Sequence, residues 1–205
     1  MRRLLMTGFE PFGGDDVNPA SLAVARMEGE QSGDLEVSTL QLPAVFEEAA
    51  GAVIAAAEEA RPDIIISVGQ AGAASEIRVE RLAVNIRDAR IADNAGNLPR
   101  DVPIIPEGPA AYWSTLPTRT LVEDLLEAGI PASVSYSAGA FVCNDVFYST
   151  LHRATLDGWA TRVGFIHVPL LPRQASERRD RRLPSMSLDT VVEALRVTLD
   201  TLAHH

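Results

Sequence analysis

One cysteine and two internal histidines are the residues of this sequence best suited to nucleophilic chemistry. Cys143 is the only cysteine, and it follows the segment Ala132–Ser137, in which other residues alternate with serines, and the small residues Ala138 and Gly139. This pattern predicts a strand, a tight turn and a helix that begins near Cys143. A helix N-terminus is the positive end of the helix dipole and favours a thiolate, the nucleophilic form of cysteine. The sequence therefore indicates a cysteine nucleophile, with a buried structural cysteine as the alternative.

A nucleophilic cysteine needs a base, and the sequence offers His152 and His167. On a continuous helix the nine residues from Cys143 to His152 span about 13–14 Å, which is too far for a hydrogen bond of about 3 Å. His167 lies near the end of the apolar run Val163–Val168, which is typical of a buried strand that ends at a cleft. One helix and one returning strand fit between Cys143 and His167, so we expect the two residues at the ends of neighbouring strands. A core histidine is the alternative for His167.

A third group should orient the imidazole ring, and four carboxylates of one segment are candidates. They are Glu76, Glu80, Asp88 and Asp93. If Ile77–Val84 is a strand, Glu80 shares a face with apolar residues of that strand and is partly buried. Arg78, two residues away on the same face, is then an alternative partner for Glu80. Residue spacing alone does not choose among the four carboxylates.

The turn after the first predicted strand carries two aromatic residues. Gly8 and Gly13 have the separation of a phosphate-binding P-loop, but Gly14 stands where that motif needs a lysine. Phe9 and Phe12 are therefore candidates either for the apolar wall of a pocket or for anchoring the turn in the core.

The composition excludes several other classes of chemistry and partner. All 18 basic residues are arginines, so Schiff-base, Walker-type and Ser–Lys mechanisms lack their lysine. The 28 acidic residues give a formal net charge of −10, which argues against a nucleic-acid surface. The motifs of zincins, redox proteins, serine hydrolases and dinucleotide enzymes are absent. We therefore expect no metal, no cofactor and no nucleic acid.

Strand-like and helix-like segments alternate along the 205 residues, which suits one α/β domain over residues 1–205 with a largely parallel sheet covered by helices on both faces. The predicted strands are Arg3–Gly8, Leu35–Leu42, Asp63–Gly69, Ala132–Ser137 and Val163–Val168; the predicted helices are Val45–Ala57, Thr118–Ala128, Cys143–Leu156 and Ser187–Leu202. The five prolines of Asn94–Pro117 predict an irregular, functional loop. The five arginines of Arg173–Leu183 predict a solvated loop.

A signal peptide is not expected, because only Leu4, Leu5 and Met6 follow the two N-terminal arginines before Thr7 and Gly8, where roughly 7–15 apolar residues are needed. A membrane span is not expected either, because no apolar run approaches ~18 residues. With a single cysteine, the chain forms no internal disulfide. We therefore expect a cytoplasmic protein without a membrane partner.

Four blocks of this sequence resemble the pyrrolidone carboxyl peptidase (pyroglutamyl peptidase type I) family of cysteine peptidases. The blocks are TGFEPFGG with Asn18 and Pro19, VGQAG with VERLAVNIRDARIADNAG, SAGAFVCN, and GFIHVPLLP with Gln174. Together they span nearly the whole chain in the order and spacing of the family. Ala140, Ala73 and Ala20 depart from the family pattern, and none of these departures falls on the catalytic residues that the resemblance implies.

The resemblance implies a peptidase that removes an N-terminal pyroglutamyl (5-oxoprolyl) residue from peptides through a thioester acyl-enzyme. It assigns the nucleophile to Cys143, the base to His167 and the acidic partner to Glu80. The residues that it places at the lactam are Phe9, Phe12, Gln70, Arg90, Ile91, Phe141 and Val142. It further implies an α/β/α sandwich of three layers with a mixed, largely parallel twisted sheet, and assembly into homodimers or homotetramers. Two alternatives stay open: a transferase of the nucleoside-phosphorylase kind and a lactam-binding module without catalysis.

Overall fold

Buried apolar strands form the centre of the protein. Ile64–Gln70 (β4) begins with three consecutive isoleucines and is buried on both faces, as expected for a strand that helices cover from two sides. Arg2–Phe9 (β1) and Arg162–Val168 (β9) flank β4 in parallel. The computed structural model describes residues 1–178 and 182–205, and these residues form nine strands and six helices.

The remaining described strands are β2 (Gln31–Ser32), β3 (Leu35–Leu42), β5 (Ile77–Glu80), β6 (Leu82–Val84), β7 (Ala111–Trp113) and β8 (Ala132–Ser135). Seven strands form the main sheet in the order β2-β3-β1-β4-β9-β5-β8, and β6 and β7 form a separate antiparallel pair. Strands β3, β1, β4 and β9 run parallel to one another. Strand β5 runs antiparallel to β9 and parallel to β8. The prediction of a mixed, largely parallel sheet is therefore confirmed.

The described helices are α1 (Pro19–Ala25), α2 (Glu48–Ala60), α3 (Thr118–Glu127), α4 (Val142–Leu156), α5 (Pro172–Glu177) and α6 (Leu188–Ala203). Successive residues of a strand point to opposite faces of the sheet. Ile64 and Ile66 accordingly pack with α1, α3 and α6, whereas Ile65 packs with α2 and α4. Each fully buried isoleucine contributes about 1.5–3 kcal/mol, so both faces stabilise the expected three layers. None of the described helices is long and apolar enough to cross a membrane.

Four segments differ from the sequence prediction, and three of them concern secondary structure that was missed or misplaced. Helix α1 was not predicted, although Asn18 caps it by accepting a hydrogen bond from the backbone N–H of Ala20 and Pro19 stands at its first position. The segment Asn94–Pro117 contains the short strand β7 and is not irregular throughout. The expected strand Ile77–Val84 is broken at Arg81 into β5 and β6.

The prediction of a solvated loop at Arg173–Leu183 was wrong for its beginning. Residues Pro172–Glu177 form α5, because Pro172 stands at the first turn and the Oε1 atom of Gln174 accepts the backbone N–H of Leu171 at 2.9 Å. Residues 179–181 of the same segment lie outside the described residues.

Candidate active site

The pairing of β5 with β9 brings a carboxylate to a histidine. Strand β5 is antiparallel to β9, with Glu80 opposite Phe165 and Arg78 opposite His167. The Nδ1 atom of His167 lies 2.8 Å from the Oε1 atom of Glu80, and both side chains are buried. Glu80 therefore pairs with His167 and not with Arg78, and the structure selects it from the four candidate carboxylates.

The other three candidate carboxylates have different partners. Glu76 accepts a hydrogen bond of 2.6 Å from the hydroxyl of Ser133. Asp93 is buried and accepts several hydrogen bonds from backbone N–H groups. Asp88 lies 3.9 Å from Arg100. These three therefore bind other parts of the fold and leave the imidazole to Glu80.

The sulfur of Cys143 lies above the sheet next to His167. Cys143 is in the first turn of α4, and a Cβ placed on Gly69 would lie only 2.8 Å from its Sγ atom. Gly69 of β4 is the register partner of His167 in β9. The absence of a side chain at Gly69 therefore makes room for the thiol beside the imidazole ring.

The expectation that Cys143 and His167 end neighbouring strands was wrong. Strand β8, which precedes the cysteine, is separated from β9 by β5 and runs antiparallel to β9. Residues 136–141 instead carry the chain back across the sheet, so that α4 begins above β4. The two side chains meet because of this loop and not because their strands are adjacent.

The environment of His167 favours its protonated form. Burial opposes the charge, but hydrogen bonds with Cys143 and Glu80, and the negative charge of both partners, outweigh burial and raise the pKa of His167 to about 9. Because Nδ1 faces Glu80, Nε2 is the ring nitrogen left for proton exchange. The Oε2 atom of Glu80 is buried and has no hydrogen-bond partner among the described residues. Among the described residues, the imidazolium of His167 is thus the one ionic partner of the Glu80 carboxylate.

Two buried polar residues fix the first turn of α4. The amide of Asn144 accepts the backbone N–H of Val84 at 3.0 Å and donates to the carbonyls of Val84 and Ile86. The carboxylate of Asp145 accepts a hydrogen bond of 2.6 Å from the Nε atom of Arg87. Sequence reasoning missed both residues, since neither residue type is diagnostic of such a role. Together they hold Cys143 in a fixed position relative to the sheet.

A cavity of about 490 Å³ opens in front of the cysteine and the histidine, a size common for small-molecule sites. The predicted residues that line it are Phe12, Gln70, Glu80, Arg90, Ile91, Phe141, Cys143 and His167. The ring of Phe141 lies 5.8 Å from that of Phe12 and packs edge-on at 5.2 Å against Phe46. One side of the cavity is therefore aromatic. In residues 1–178 and 182–205, no three acidic, histidine or cysteine side chains converge as in a metal site.

Two of the predicted pocket residues lie elsewhere. Phe9 and Val142 are core side chains, exposed by only 2% and 1%, and neither lines the cavity. The ring of Phe9 lies 6.3 Å from that of Phe165, which in turn lies 4.8 Å from the ring of His167. Phe9 thus anchors the turn in the core, which was the alternative reading of its position, and it supports the site from behind.

A polar network that the sequence did not indicate borders the same cavity. Asp15 accepts hydrogen bonds from the amides of Gln70 and Gln174, at 3.1 and 3.2 Å, and from Arg178 at 2.6 Å. The amide of Gln174 also donates to the Oε1 atom of Gln70 at 3.1 Å. This network holds the side chain of Gln70 at the wall of the cavity.

The chain is similar over its whole length to known peptidases. A family model described as pyroglutamyl peptidase matches residues 2–205. The chain is 46% identical to the pyrrolidone-carboxylate peptidase of Brevibacillus brevis and 47% identical to that of Bacillus licheniformis, covering 100% of this chain and 94% of each relative.

Solved structures of the same kind superpose closely on the chain. A crystal structure of pyroglutamyl peptidase I from Bacillus amyloliquefaciens has a TM-score of 0.96 at 43% identity, covering 100% of this chain and 96% of that one. A mutant pyrrolidone carboxyl peptidase from the hyperthermophile Pyrococcus furiosus has a TM-score of 0.93 at 42% identity, with 97% of each chain covered. The resemblance inferred from the four sequence blocks is confirmed, and the chain belongs to the pyroglutamyl peptidase family.

Proposed function

We propose that this chain is a cysteine peptidase that hydrolyses the N-terminal pyroglutamyl residue from peptides. The observation that supports this most directly is the Glu80–His167 pair beside the Sγ atom of Cys143, at the wall of a cavity with one aromatic side. A thiol, a base and a carboxylate that orients the base form the arrangement needed for acyl transfer by a cysteine nucleophile.

In the first step His167 takes the proton of the Cys143 thiol, and the thiolate attacks the carbonyl carbon of the pyroglutamyl residue. The raised pKa of His167 favours this transfer, because hydrogen bonds with Cys143 and Glu80 outweigh the burial that opposes the imidazolium. As the tetrahedral intermediate collapses, His167 donates that proton to the leaving amine. The products of this half-reaction are the shortened peptide and a pyroglutamyl thioester on Cys143.

In the second step water attacks the thioester and gives its proton to His167. The sulfur leaves as the thiolate, and free pyroglutamate is released. Both steps create an oxyanion, and the first N–H groups of a helix have no acceptor within the helix. The apolar side chain of the N-cap residue, Phe141, leaves these groups of α4 available. We assign the oxyanion to the backbone N–H groups around Cys143, with Arg90 nearby at the wall of the cavity.

The lactam ring of the substrate suits the aromatic side of the cavity. A pyroglutamyl residue carries no α-ammonium group, so it needs neither an acidic anchor nor a metal. A neutral ring suits the aromatic wall of Phe12 and Phe141, while Gln70 supplies a polar group held in place by Asp15. A ligand that buries the remaining hydrogen-bond positions of the Gln70 amide without pairing them costs about 1–3 kcal/mol. This cost is the physical basis of the proposed selectivity.

The proposal is tested with a pyroglutamyl chromogenic amide and the matching prolyl amide. We expect the first to be hydrolysed and the second to be left intact, because the prolyl ring lacks the lactam carbonyl and carries a charged amine. The Cys143→Ala variant should fold and release no product. Turnover by Cys143→Ala at the wild-type rate, or equal hydrolysis of both amides, would contradict the proposal.

The comparisons give no support to a transferase of the nucleoside-phosphorylase kind, since the relatives reported above are all named as peptidases. The same experiment addresses a binding module without catalysis, because such a module would bind the pyroglutamyl amide and release no chromophore.

A further inference from the structure

One arginine at the wall of the cavity has no role in the reaction described above. Arg78 lies on β5 as the register partner of His167, and its half-buried side chain lines the cavity. The guanidinium of Arg78 makes no hydrogen bond or ion pair with any residue of the described ranges 1–178 and 182–205. The carboxylates two residues before and after it have other partners: Glu76 binds Ser133, and Glu80 binds His167. A guanidinium beside the catalytic histidine is thus left without a counter-ion in that part of the protein.

The order of the strands places this guanidinium on the leaving-group side of the reaction. The sulfur of Cys143 lies above Gly69 in β4, His167 is on the next strand, β9, and Arg78 is on the strand after that, β5. The aromatic wall, which includes Phe12 after β1, lies at the opposite end of this row. A substrate whose lactam lies at the aromatic wall and whose carbonyl lies at the sulfur therefore continues past His167 toward Arg78. Neighbouring strands are about 5 Å apart, so the residue after the lactam comes within reach of the arginine side chain.

Among residues 1–178 and 182–205, the other charged groups at the wall of the cavity have partners or roles of their own. Arg178 is paired with Asp15 at 2.6 Å. Arg90 also lines the cavity, and the reaction proposed above places it near the oxyanion. The remaining carboxylate at the wall, Asp88, lies 3.9 Å from Arg100.

We propose that Arg78 is a specificity-determining residue that binds a carboxylate on the residue following the pyroglutamyl group. This inference rests on the proposed function. The carboxylate comes from one of two sources: an acidic side chain at that position, or the C-terminus of a pyroglutamyl dipeptide. A guanidinium binds a carboxylate through paired N–H···O hydrogen bonds, which are stronger than neutral hydrogen bonds. In an open, partly solvated cavity we expect a preference of about tenfold in kcat/KM, the equivalent of about 1.4 kcal/mol.

The test compares two pairs of substrates that differ in one negative charge. The first pair is pyroglutamyl-glutamic acid amide and pyroglutamyl-glutamine amide, which carry the charge on the side chain. The second pair is pyroglutamyl-alanine and its C-terminal amide, which carry the charge on the terminus. Each pair is measured with the wild type, with Arg78→Gln and with Arg196→Gln. Arg196 is a surface residue of α6 that binds Glu30, so its substitution changes the net charge of the protein equally and leaves the cavity intact.

We expect the wild type and Arg196→Gln to prefer the charged member of at least one pair by about tenfold, and the pair concerned identifies the source of the carboxylate. Arg78→Gln should lose the preference and retain its activity on the neutral members. Equal hydrolysis of charged and neutral substrates by the wild type would overturn the inference and leave the proposed function intact. A preference that survives in Arg78→Gln, or an equal loss on all four substrates, would also overturn it. If no pyroglutamyl substrate is hydrolysed by the wild type, the proposed function itself fails.

Discussion

Replacement of Gly69 by alanine tests whether the sulfur of Cys143 occupies the position on which the reaction depends. A Cβ at this residue would lie 2.8 Å from the Sγ atom of Cys143 and 2.9 Å from the Cζ atom of Phe165. Ordinary contacts between such heavy atoms are about 3.5–4.0 Å, so the sulfur and the ring must each move away from the added carbon, the sulfur by roughly 0.7–1 Å. The ring of Phe165 is wedged between those of Phe9 and Phe147. Because the two contacts are separate, the thiol must move even if the ring also shifts.

A displacement of about 1 Å in a reacting group costs about 100-fold in rate, and we expect Gly69→Ala to lose kcat on a pyroglutamyl chromogenic amide by that order. Overpacking should also lower the free energy of unfolding by about 1–3 kcal/mol, which urea denaturation followed by circular dichroism measures. The activity assay is then run under conditions in which the wild type and Gly69→Ala are both folded.

The matched control is Gly51→Ala in α2. A Cβ on Gly51 meets nothing within 4 Å in the described part of the chain, and alanine in a helix interior is more stable than glycine by about 0.5–1 kcal/mol. Gly51→Ala should therefore keep full activity with unchanged or higher stability. A folded Gly69→Ala variant with the wild-type kcat would refute the position of the sulfur that we derive.

Three further predictions concern the imidazole and the aromatic wall. His167→Ala should lose more kcat than Glu80→Gln, because the first removes the proton carrier and the second removes only its ionic partner; the opposite order in a chromogenic assay would contradict these roles. The pKa of His167 is raised from 6.5 to about 9, so the stability that its proton contributes is fully present below about pH 6.5 and is lost as the pH rises through about 9. Urea denaturation across this window should show the decline in the wild type and a smaller decline in Glu80→Gln, whereas equal slopes would mean that Glu80 does not hold the proton. Phe12→Ala should raise KM for the pyroglutamyl amide by up to about tenfold with little change in kcat, since it removes one aromatic contact to the lactam; an unchanged KM would place the lactam elsewhere.

The sequence predicted the main strands and helices well where hydrophobic periodicity was long. Helix α1 was missed although Asn18 and Pro19 form a recognisable start signal, because its seven residues are too few for a clear period. The segment that begins at Arg173 was misassigned because its arginines suggested solvent, whereas Gln174 caps a short helix. These errors arise where a few side-chain hydrogen bonds, and not a repeated pattern, determine the structure.

The candidate site was predictable in its residue types and not in its geometry. The choice of Glu80 over its neighbours depends on the register of β5 against β9, which no local pattern encodes. The meeting of Cys143 with His167 depends on the path of residues 136–141 across the sheet, which strand order alone mispredicted. Phe9, the last residue of β1, and Phe12 stand three residues apart, and only the tertiary packing shows that the first is buried in the core and the second lines the cavity.

The central claim is that Cys143, the only thiol of the chain, is the catalytic nucleophile beside the lactam pocket. The most direct measurement is alkylation with iodoacetamide, followed in parallel by the intact mass of the protein and by hydrolysis of the pyroglutamyl amide. We predict that activity falls in proportion to the fraction of chains that carry one alkyl group, and that saturating 2-pyrrolidone slows both changes equally. A protein that is fully alkylated at Cys143 and still hydrolyses the amide at the original rate would contradict the account.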